Sequence, residues 1–322
     1  MKTLRNAVIA IFAGLILMIS CKKSDIALPK SEANIDSIAS KYYEGYLKMY
    51  PLEATMQGDS RYNDLLSNNI SSEFISKEIE FYTDTQKKLK SIDYDDLSDE
   101  QKTVYDVLDY TLKDKIERYA YHPELLPFSQ FEGLPLDFPL LGSAEGNQPF
   151  KTTKDYDNWL KRIDAFVIWM NTAEKNFREG MKQNVVLPKK LVVKMIPQMH
   201  SEEIITEDFD KNIFYGPIKK MPKNFSAKDK EKYKILYQEA ISSKIIPAYQ
   251  KMGDFLEKEY LPKARNTDGI NALPNGKNIY EYYAKSWTTT NKTPEEINKI
   301  GLQQVAMLRA EMEKVKTQLG FK

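Results

Sequence analysis

The sequence predicts a mainly α protein in which several amphipathic helices pack into a multi-helix bundle. Two observations support this prediction. Apolar residues recur at spacings of three and four along most of the chain, which is the period of a helix with one buried face. The chain also has only 13 glycines and 15 prolines among 322 residues, whereas lysine, glutamate and leucine, which favour helix, are abundant. We therefore expect one helical domain over residues 35–322, with long irregular loops and at most a few short strands.

Capping signals justify the individual helices in order. Ser98 and Thr293 each begin a capping box, Thr152 with Asp155 can cap a further helix, and Gly320 is placed to end the last one. The predicted helices cover residues 35–50, 72–90, 98–119, 152–181, 226–260 with a kink at Pro247, 276–287 and 293–319. Residues 187–199 are ambiguous, because Leu-Val-Val suits a strand whereas Pro188 favours the start of a short helix.

Two stretches between these helices have a different character. Residues 122–150 contain five prolines and three glycines, and the prediction there is an irregular segment without helix. Its phenylalanines make it apolar, so it either crosses between helical layers or lines a cleft. Residues 201–225 form a second predicted irregular stretch.

Composition excludes several classes of protein. Hydrophobic residues make up 42% of the chain and charged residues 29%, which is typical of a folded globular domain and not of a disordered or polytopic membrane protein. The 47 basic and 46 acidic side chains give a net charge of +1, so no overall field attracts a phosphate backbone. We expect no nucleic-acid partner.

Residues 1–20 have the pattern of a bacterial lipoprotein signal peptide. Two basic residues precede an apolar stretch over residues 7–19, which is too short to span a bilayer. The only cysteine, Cys21, directly follows Leu-Met-Ile-Ser, as in a lipobox. We expect acyl chains on Cys21 to hold the protein at a membrane of the bacterial envelope, with residues 21–34 as a tether. Lys22 favours the outer membrane, and a free cysteine placed by core packing is the alternative to lipidation.

The sequence contains no recognisable catalytic or metal-binding motif. The only two histidines, His122 and His200, are 78 positions apart, so they cannot form the i, i+4 pair that binds zinc on one helix face. We interpret His122 as a turn residue and His200 as a solvated helix end. No G-x-S-x-G motif occurs, and the sequence around Gly276-Lys277 lacks the first glycine and the hydroxyl of a phosphate loop. We therefore predict no catalytic residue, no bound cofactor and no nucleotide in this chain.

One segment stands out as a candidate ligand contact. Trp287, Thr288, Thr289 and Thr290 directly precede the last capped helix, and the β-branched residues favour an extended conformation. An extended segment can offer backbone hydrogen bonds to a peptide. These four residues are the candidates for a substrate groove, and a plain connection between two helices is the alternative.

Residues 273–322 resemble a bacterial family catalogued as domain of unknown function 885, which is often grouped with the zincin-like metallopeptidases. The resemblance rests on a Leu-Pro-x-Gly turn, the Thr-Thr run, a T-P-E-E-I helix start and a G-L-x-x-V-A core. Further matching segments are Pro51-Leu52-Glu53-Ala54-Thr55 with Gly58, the loop over residues 133–139, Asp155-Tyr156, Ile246-Pro247-Ala248-Tyr249 and Tyr260-Leu261-Pro262. The family tends to have His in place of Asn298 and Glu in place of Gln304.

The resemblance implies that this chain is the N-terminal part of a zincin-like helical fold. Family members are longer, and their H-E-x-x-P-G-H motif lies beyond the point that corresponds to Lys322. No family metal or catalytic residue maps onto this sequence. In the complete enzyme, the resemblance implies zinc and a zinc-activated water that attacks a peptide carbonyl, with a glutamate as general base.

These observations lead to a first hypothesis and two alternatives. The first is the N-terminal portion of a zinc-dependent peptidase anchored as an envelope lipoprotein, inactive alone, with a peptide as its possible substrate. The second is a non-catalytic helical lipoprotein that binds glycan or peptide, which the tether and the 20 tyrosines suggest. A structural envelope protein without a ligand is the third, and it predicts a fold without a deep cleft.

Overall fold

A computed structural model describes residues 34–321, and its secondary structure is almost entirely helical. The α-helices, in chain order, are α1 (Ile35–Met49), α2 (Pro51–Met56), α3 (Ser72–Leu89), α4 (Asp99–Arg118), α5 (Leu134–Gly142), α6 (Thr153–Lys182), α7 (Lys189–Met199), α8 (Glu202–Ile205), α9 (Gly216–Lys219), α10 (Ala227–Ala240), α11 (Ile246–Phe255), α12 (Gly276–Thr288) and α13 (Pro294–Gln318). Among residues 34–321, the β-type pairing consists of one isolated bridge between Pro188 and Arg265. The predicted mainly α fold is confirmed, while the predicted signal peptide and Cys21 lie outside the described residues.

Helix α6 is the centre of the main hydrophobic core. The buried residues that recur along it at spacings of three and four are Tyr156, Trp159, Ile163, Phe166, Met170, Ala173, Phe177 and Gly180. Helices α10 and α11 pack along it. Phe166 stacks on Phe138 of α5, with ring centroids 4.0 Å apart, and its centroid lies 5.5 Å from that of Tyr249 on α11. Stacked and tilted aromatic rings therefore fill the middle of the molecule.

A smaller core joins α1, α3 and α4. Its buried members are Ile35, Ile38, Tyr82, Leu89, Leu108 and Leu112. The side chain of Asn34 accepts a hydrogen bond from the Asp36 amide at 2.9 Å and so caps α1. The predicted bundle of the first helices is confirmed, with Pro51 beginning the short helix α2 directly after α1.

The prediction of no helix over residues 122–150 is wrong, because α5 lies within this stretch. Pro135 fits the first turn of α5, where no backbone donor is needed. Pro139 lacks the amide that would bond to the Pro135 carbonyl, and the Tyr249 hydroxyl donates to that carbonyl at 2.8 Å instead. A side chain 114 positions away thus satisfies the backbone group that a proline leaves free.

The helix predicted over residues 226–260 is interrupted close to Pro247, where the sequence predicts a kink. Ser226 caps α10, and a π-helical turn over Ile241–Ile245 comes directly before Pro247, which lies in the first turn of α11. A second π-helical turn over Leu256–Tyr260 follows α11. Residues 201–225 are irregular apart from short helical turns that include α8 and α9.

The last two helices differ in how they meet the rest of the described residues. Helix α12 is held against α4 by the Tyr282 hydroxyl, which donates to the Asp114 carbonyl at 3.2 Å, and by an ion pair of 2.6 Å between Lys285 and Glu117. Helix α13 begins with the predicted capping box of Thr293, and Gly320 follows it with φ of +73°. None of its 25 residues is buried. Within the part of the chain that the structure describes, no helix is long and apolar enough to cross a membrane.

Candidate functional site

The predicted groove segment, residues 287–290, forms the corner between α12 and α13. The extended geometry predicted for it is wrong, because Trp287 and Thr288 belong to the last turn of α12 and Thr289 adopts a left-handed conformation. The hydroxyl of Thr288 donates to the carbonyl of Ala284 at 2.6 Å, a bond to residue i−4 that helix geometry makes available to threonine. The segment therefore connects two helices, which was the alternative left open by the sequence.

Two features of this corner indicate that it can serve as a contact surface. The Trp287 side chain is 85% exposed, which is unusual for so large an apolar group. Thr289 ends α12 with φ of +54°, a left-handed conformation that a β-branched residue adopts only at a cost. The Thr288 and Thr290 hydroxyl oxygens lie 3.1 Å apart. A turn with a left-handed residue thus presents an indole ring and two hydroxyl groups at the surface.

The two histidines occupy different environments. His122 adopts φ of +49° between two short helical turns, as expected for a turn residue, and its Nδ1 lies 3.0 Å from Glu124 Oε1. His200 ends α7, and its Nε2 lies 3.9 Å from Asp254 Oδ1 on α11. The imidazole of His200 lies against Gly253, where an added Cβ would come within 2.4 Å of Nε2. Glycine at position 253 therefore allows this close approach.

A histidine and two carboxylates meet at this point. Among residues 34–321, His200, Asp254 and Glu257 form the one group of at least three His, Cys, Asp or Glu side chains whose ligand atoms lie within 4.8 Å of one another. Sequence analysis missed it because 54 positions separate His200 from Asp254. The only local signal is the i, i+3 spacing of Asp254 and Glu257, which places both on one helix face.

This cluster does not fit the zinc site that the family resemblance implies. Both carboxylates are exposed, and Lys258 Nζ lies 2.9 Å from Asp254 Oδ2. The hydrogen bond from Lys258 is the largest cause that holds the pKa of the Asp254 carboxyl below its usual range. Catalytic zinc sites use three protein ligands with a dry, ordered surround, and zincins supply two histidines. His122, the other histidine, is not part of the cluster.

A buried carboxylate lies at the junction of α1, α3 and α4. Glu78 is almost fully buried, and the hydroxyls of Tyr50, Tyr82 and Tyr119 all donate to it. Burial is the largest cause that raises the pKa of each of these tyrosines, and the contact with Glu78 raises it further. The three tyrosines donate hydrogen bonds to both oxygens of the carboxylate. We therefore interpret Glu78 as a structural residue that holds these helices together.

In the main core, a buried guanidinium holds several segments together by hydrogen bonds. Arg162 of α6 donates to Gln148, to Thr55 Oγ1 at 2.7 Å and to the Leu65 carbonyl at 3.0 Å. Burial lowers its pKa to about 10, so it stays protonated at neutral pH. Its acceptors come from α2 and from the loops before α3 and α6. Arg162 thus joins segments that are distant in sequence.

Two grooves open on the surface of the described residues. The first, of about 500 Å³, lies between α6 and α11, and its lining mixes apolar residues such as Met170 and Met252 with charged ones such as Glu174 and Lys251. The second, of about 830 Å³, lies between α1 and α3. In it, the rings of Tyr42 and Phe81 stack with centroids 5.8 Å apart. Both are open to solvent and neither contains the residues of the His200 cluster.

The two positions at which the sequence departs from the resemblance, Asn298 and Gln304, are both exposed on α13. Asn298 is seven residues before Val305, so both lie on the same face of the helix.

Comparison with known families shows the family to which the chain belongs. Residues 51–322 match the family described as "Bacterial protein of unknown function (DUF885)", which is most of the chain. The chain therefore belongs to the DUF885 family, as its C-terminal segment indicated. No curated protein matches the sequence.

Comparison with solved structures confirms the fold. The chain is similar to a crystal structure described as a putative lipoprotein from Colwellia psychrerythraea, with a TM-score of 0.74 and 19% sequence identity. The match covers 91% of this chain and 52% of that one. The chain thus spans about half the length of the Colwellia protein.

Proposed function

We propose that this chain is the helical N-terminal part of a lipid-anchored envelope peptidase of the DUF885 family. The observation that carries the proposal is that a solved protein of the same fold, the putative lipoprotein from Colwellia psychrerythraea, has about as many residues again outside the matched half. The His200 cluster does not fit the zincin ligand set, so the proposed zinc ligands lie outside this chain. This chain supplies a wall of the substrate groove.

The corner at Trp287 is the proposed contact with the peptide. Its exposed indole can pack on a substrate side chain, and Thr288 and Thr290 carry hydroxyls that can hydrogen-bond to a peptide. The strained left-handed Thr289 holds these groups at a fixed turn.

Two observations support membrane anchoring by lipid. Cys21 follows a lipobox-like segment, and the Colwellia protein is described as a putative lipoprotein. Replacement of Cys21 by Ser is expected to abolish incorporation of labelled palmitate and to release the protein from the membrane fraction. Fractionation on a density gradient then separates inner from outer membrane, and the proposal expects the outer one.

Zinc content and peptide hydrolysis test the catalytic part of the proposal. Both are measured on residues 22–322 and on the complete product of the native locus. Zinc and hydrolysis in the longer product alone support the proposal. The absence of both zinc and hydrolysis from both forms would contradict the proposal and would favour a non-catalytic binding lipoprotein.

A matched pair of variants tests the groove. In the longer product, Trp287→Ala is expected to raise KM for a peptide several-fold while zinc content stays the same, because an aromatic contact with substrate is lost. Phe131→Ala is the control, since Phe131 is 87% exposed and lies far along the chain from this corner. Equal effects of the two variants would remove Trp287 from the proposed groove.

The groove between α1 and α3 favours a second candidate function, that of a binding lipoprotein. The stacked rings of Tyr42 and Phe81, with Lys41, Lys88 and Asp84 in the same lining, form an aromatic surface of mixed charge that suits a glycan or a peptide. Titration of the 322-residue chain with envelope glycans and peptides tests it. Saturable binding that Tyr42→Ala abolishes would establish this function, whether or not a peptidase activity exists.

A further inference from the structure

Helix α13 presents an apolar stripe that nothing in the described structure covers. Its apolar side chains are between 40% and 70% exposed. They are Ile300, Leu302, Val305, Met307, Leu308, Met312, Val315 and Leu319. Apolar patches of this extent on a monomer mark interaction surfaces.

The helix is specified locally, but local signals alone do not stabilise a helix of this kind. The Thr293 Oγ1 accepts from the Glu296 amide at 3.2 Å, and Glu296 accepts in return from the Thr293 amide at 2.8 Å. Such a box fixes where the helix begins. Most of the stability of helices in proteins comes from packing an amphipathic face, so α13 is built to pack against a partner.

The spacing of the stripe identifies the kind of partner. Val305, Leu308, Met312, Val315 and Leu319 follow one another at intervals of three and four, which is the seam of two packed helices. Arg309 and Lys316 flank this seam on one side, and Glu311 lies on the other. The surface therefore suits an α-helix with an apolar face and charged edges.

We infer that this seam docks a helix from the part of the DUF885 fold that lies outside the half spanned by this chain. In the Colwellia protein that part is nearly half of the molecule, whereas the matched half covers 91% of this chain. An uncovered seam thus occurs in a chain that matches only about half of a solved protein of the same fold. The inference rests on the proposed function in one respect, namely that this chain works as part of a longer one.

Cysteine accessibility tests the inference. Leu308→Cys places a thiol on the seam, and Ala310→Cys places one on the opposite face of the same helix as a matched control. Each variant is made in residues 22–322, which omits Cys21, and in the complete product of the native locus. The rate of modification by a maleimide is measured by mass spectrometry on the peptide that carries the new thiol.

The expected result is selective protection in the longer product. There, Leu308→Cys reacts at least roughly tenfold more slowly than in residues 22–322, while Ala310→Cys reacts equally fast in both. Equal rates for Leu308→Cys in the two forms would overturn the inference. A native locus that encodes nothing beyond Lys322 would also overturn it. Protection of the Leu308→Cys thiol in residues 22–322 that disappears on dilution of the protein would overturn it as well, because the seam would then be covered by a second copy of this chain.

The same longer product separates this inference from the proposed function. Protection of Leu308→Cys without zinc or peptide hydrolysis would retain the docked helix and reject the peptidase. Zinc and hydrolysis without protection would retain the peptidase and reject the docked helix.

Discussion

Helices α6 and α13 have the same sequence pattern and opposite surroundings. Apolar residues follow one another at alternating intervals of three and four from Tyr156 to Gly180 in α6, and the same alternation runs from Val305 to Leu319 in α13. Both helices begin with a capping box. The stripe of α6 is buried along its whole length, whereas no residue of α13 is buried.

The difference shows that amphipathic spacing specifies a helix and a face, but not the partner. Phe138 and Tyr249 cover Phe166 in the middle of α6. These two residues lie on either side of α6 in the sequence and reach it only through the fold. The seam of α13 meets no such residues within the described part of the chain.

The largest effect is expected from truncation in the covered stripe. Phe166 is fully buried, so Phe166→Ala should lower the free energy of unfolding by about 3–5 kcal/mol, through lost burial and the cavity that remains. Leu308 is 55% exposed, and Leu308→Ala should change the free energy of unfolding by less than about 0.5 kcal/mol. Urea denaturation of residues 22–322 measures both. A large loss for Leu308→Ala would mean that α13 already packs against a partner in this form.

An intermediate effect is expected from the buried cation of α6. Arg162→Met removes the donor for Gln148, Thr55 and several backbone carbonyls, and unpaired buried acceptors cost about 1–3 kcal/mol each. We expect a loss of roughly 3 kcal/mol in the free energy of unfolding. Arg309→Met on α13 is the matched control and should lie within about 0.5 kcal/mol of the parent, because Arg309 is exposed. A loss below about 1 kcal/mol for Arg162→Met would show that water replaces the guanidinium.

The smallest effect is expected from the two capping boxes. Thr152→Ala should lower the free energy of global unfolding by about 1 kcal/mol, because α6 folds together with the core. Thr293→Ala removes a cap of nearly the same geometry, yet it should leave global unfolding unchanged and only speed hydrogen exchange in the first turn of α13. Equal losses from both variants would show that α13 unfolds cooperatively with the body.

Much of the helical architecture was predictable because its signals are local. The caps at Ser98, Thr152, Ser226 and Thr293 all mark helix starts in the structure. Each depends on hydrogen bonds within four residues, so the sequence alone contains what is needed. The interruption before Pro247 was predictable for the same reason.

The errors occurred where a distant residue decides local structure. Helix α5 forms although it contains Pro135 and Pro139, since the Tyr249 hydroxyl satisfies the carbonyl that Pro139 leaves free. The segment over residues 287–290 is an exception, because the bond that extends α12 through Thr288 is a local one to Ala284, and it prevails over the strand preference of threonine. The grouping of His200 with Asp254 needed the packing of α7 against α11, which no spacing reveals.

The sequence by itself determined the mainly α class, the positions of most helices, the apolar face of each and membership of the DUF885 family. These depend on interactions within one or two helical turns and on motifs that can be read in order. Only the tertiary structure decided which apolar stripe is covered, how Glu78 and Arg162 are satisfied and where His200 lies. Those outcomes depend on contacts between residues far apart in the chain, whose energy exists only once the fold has brought them together.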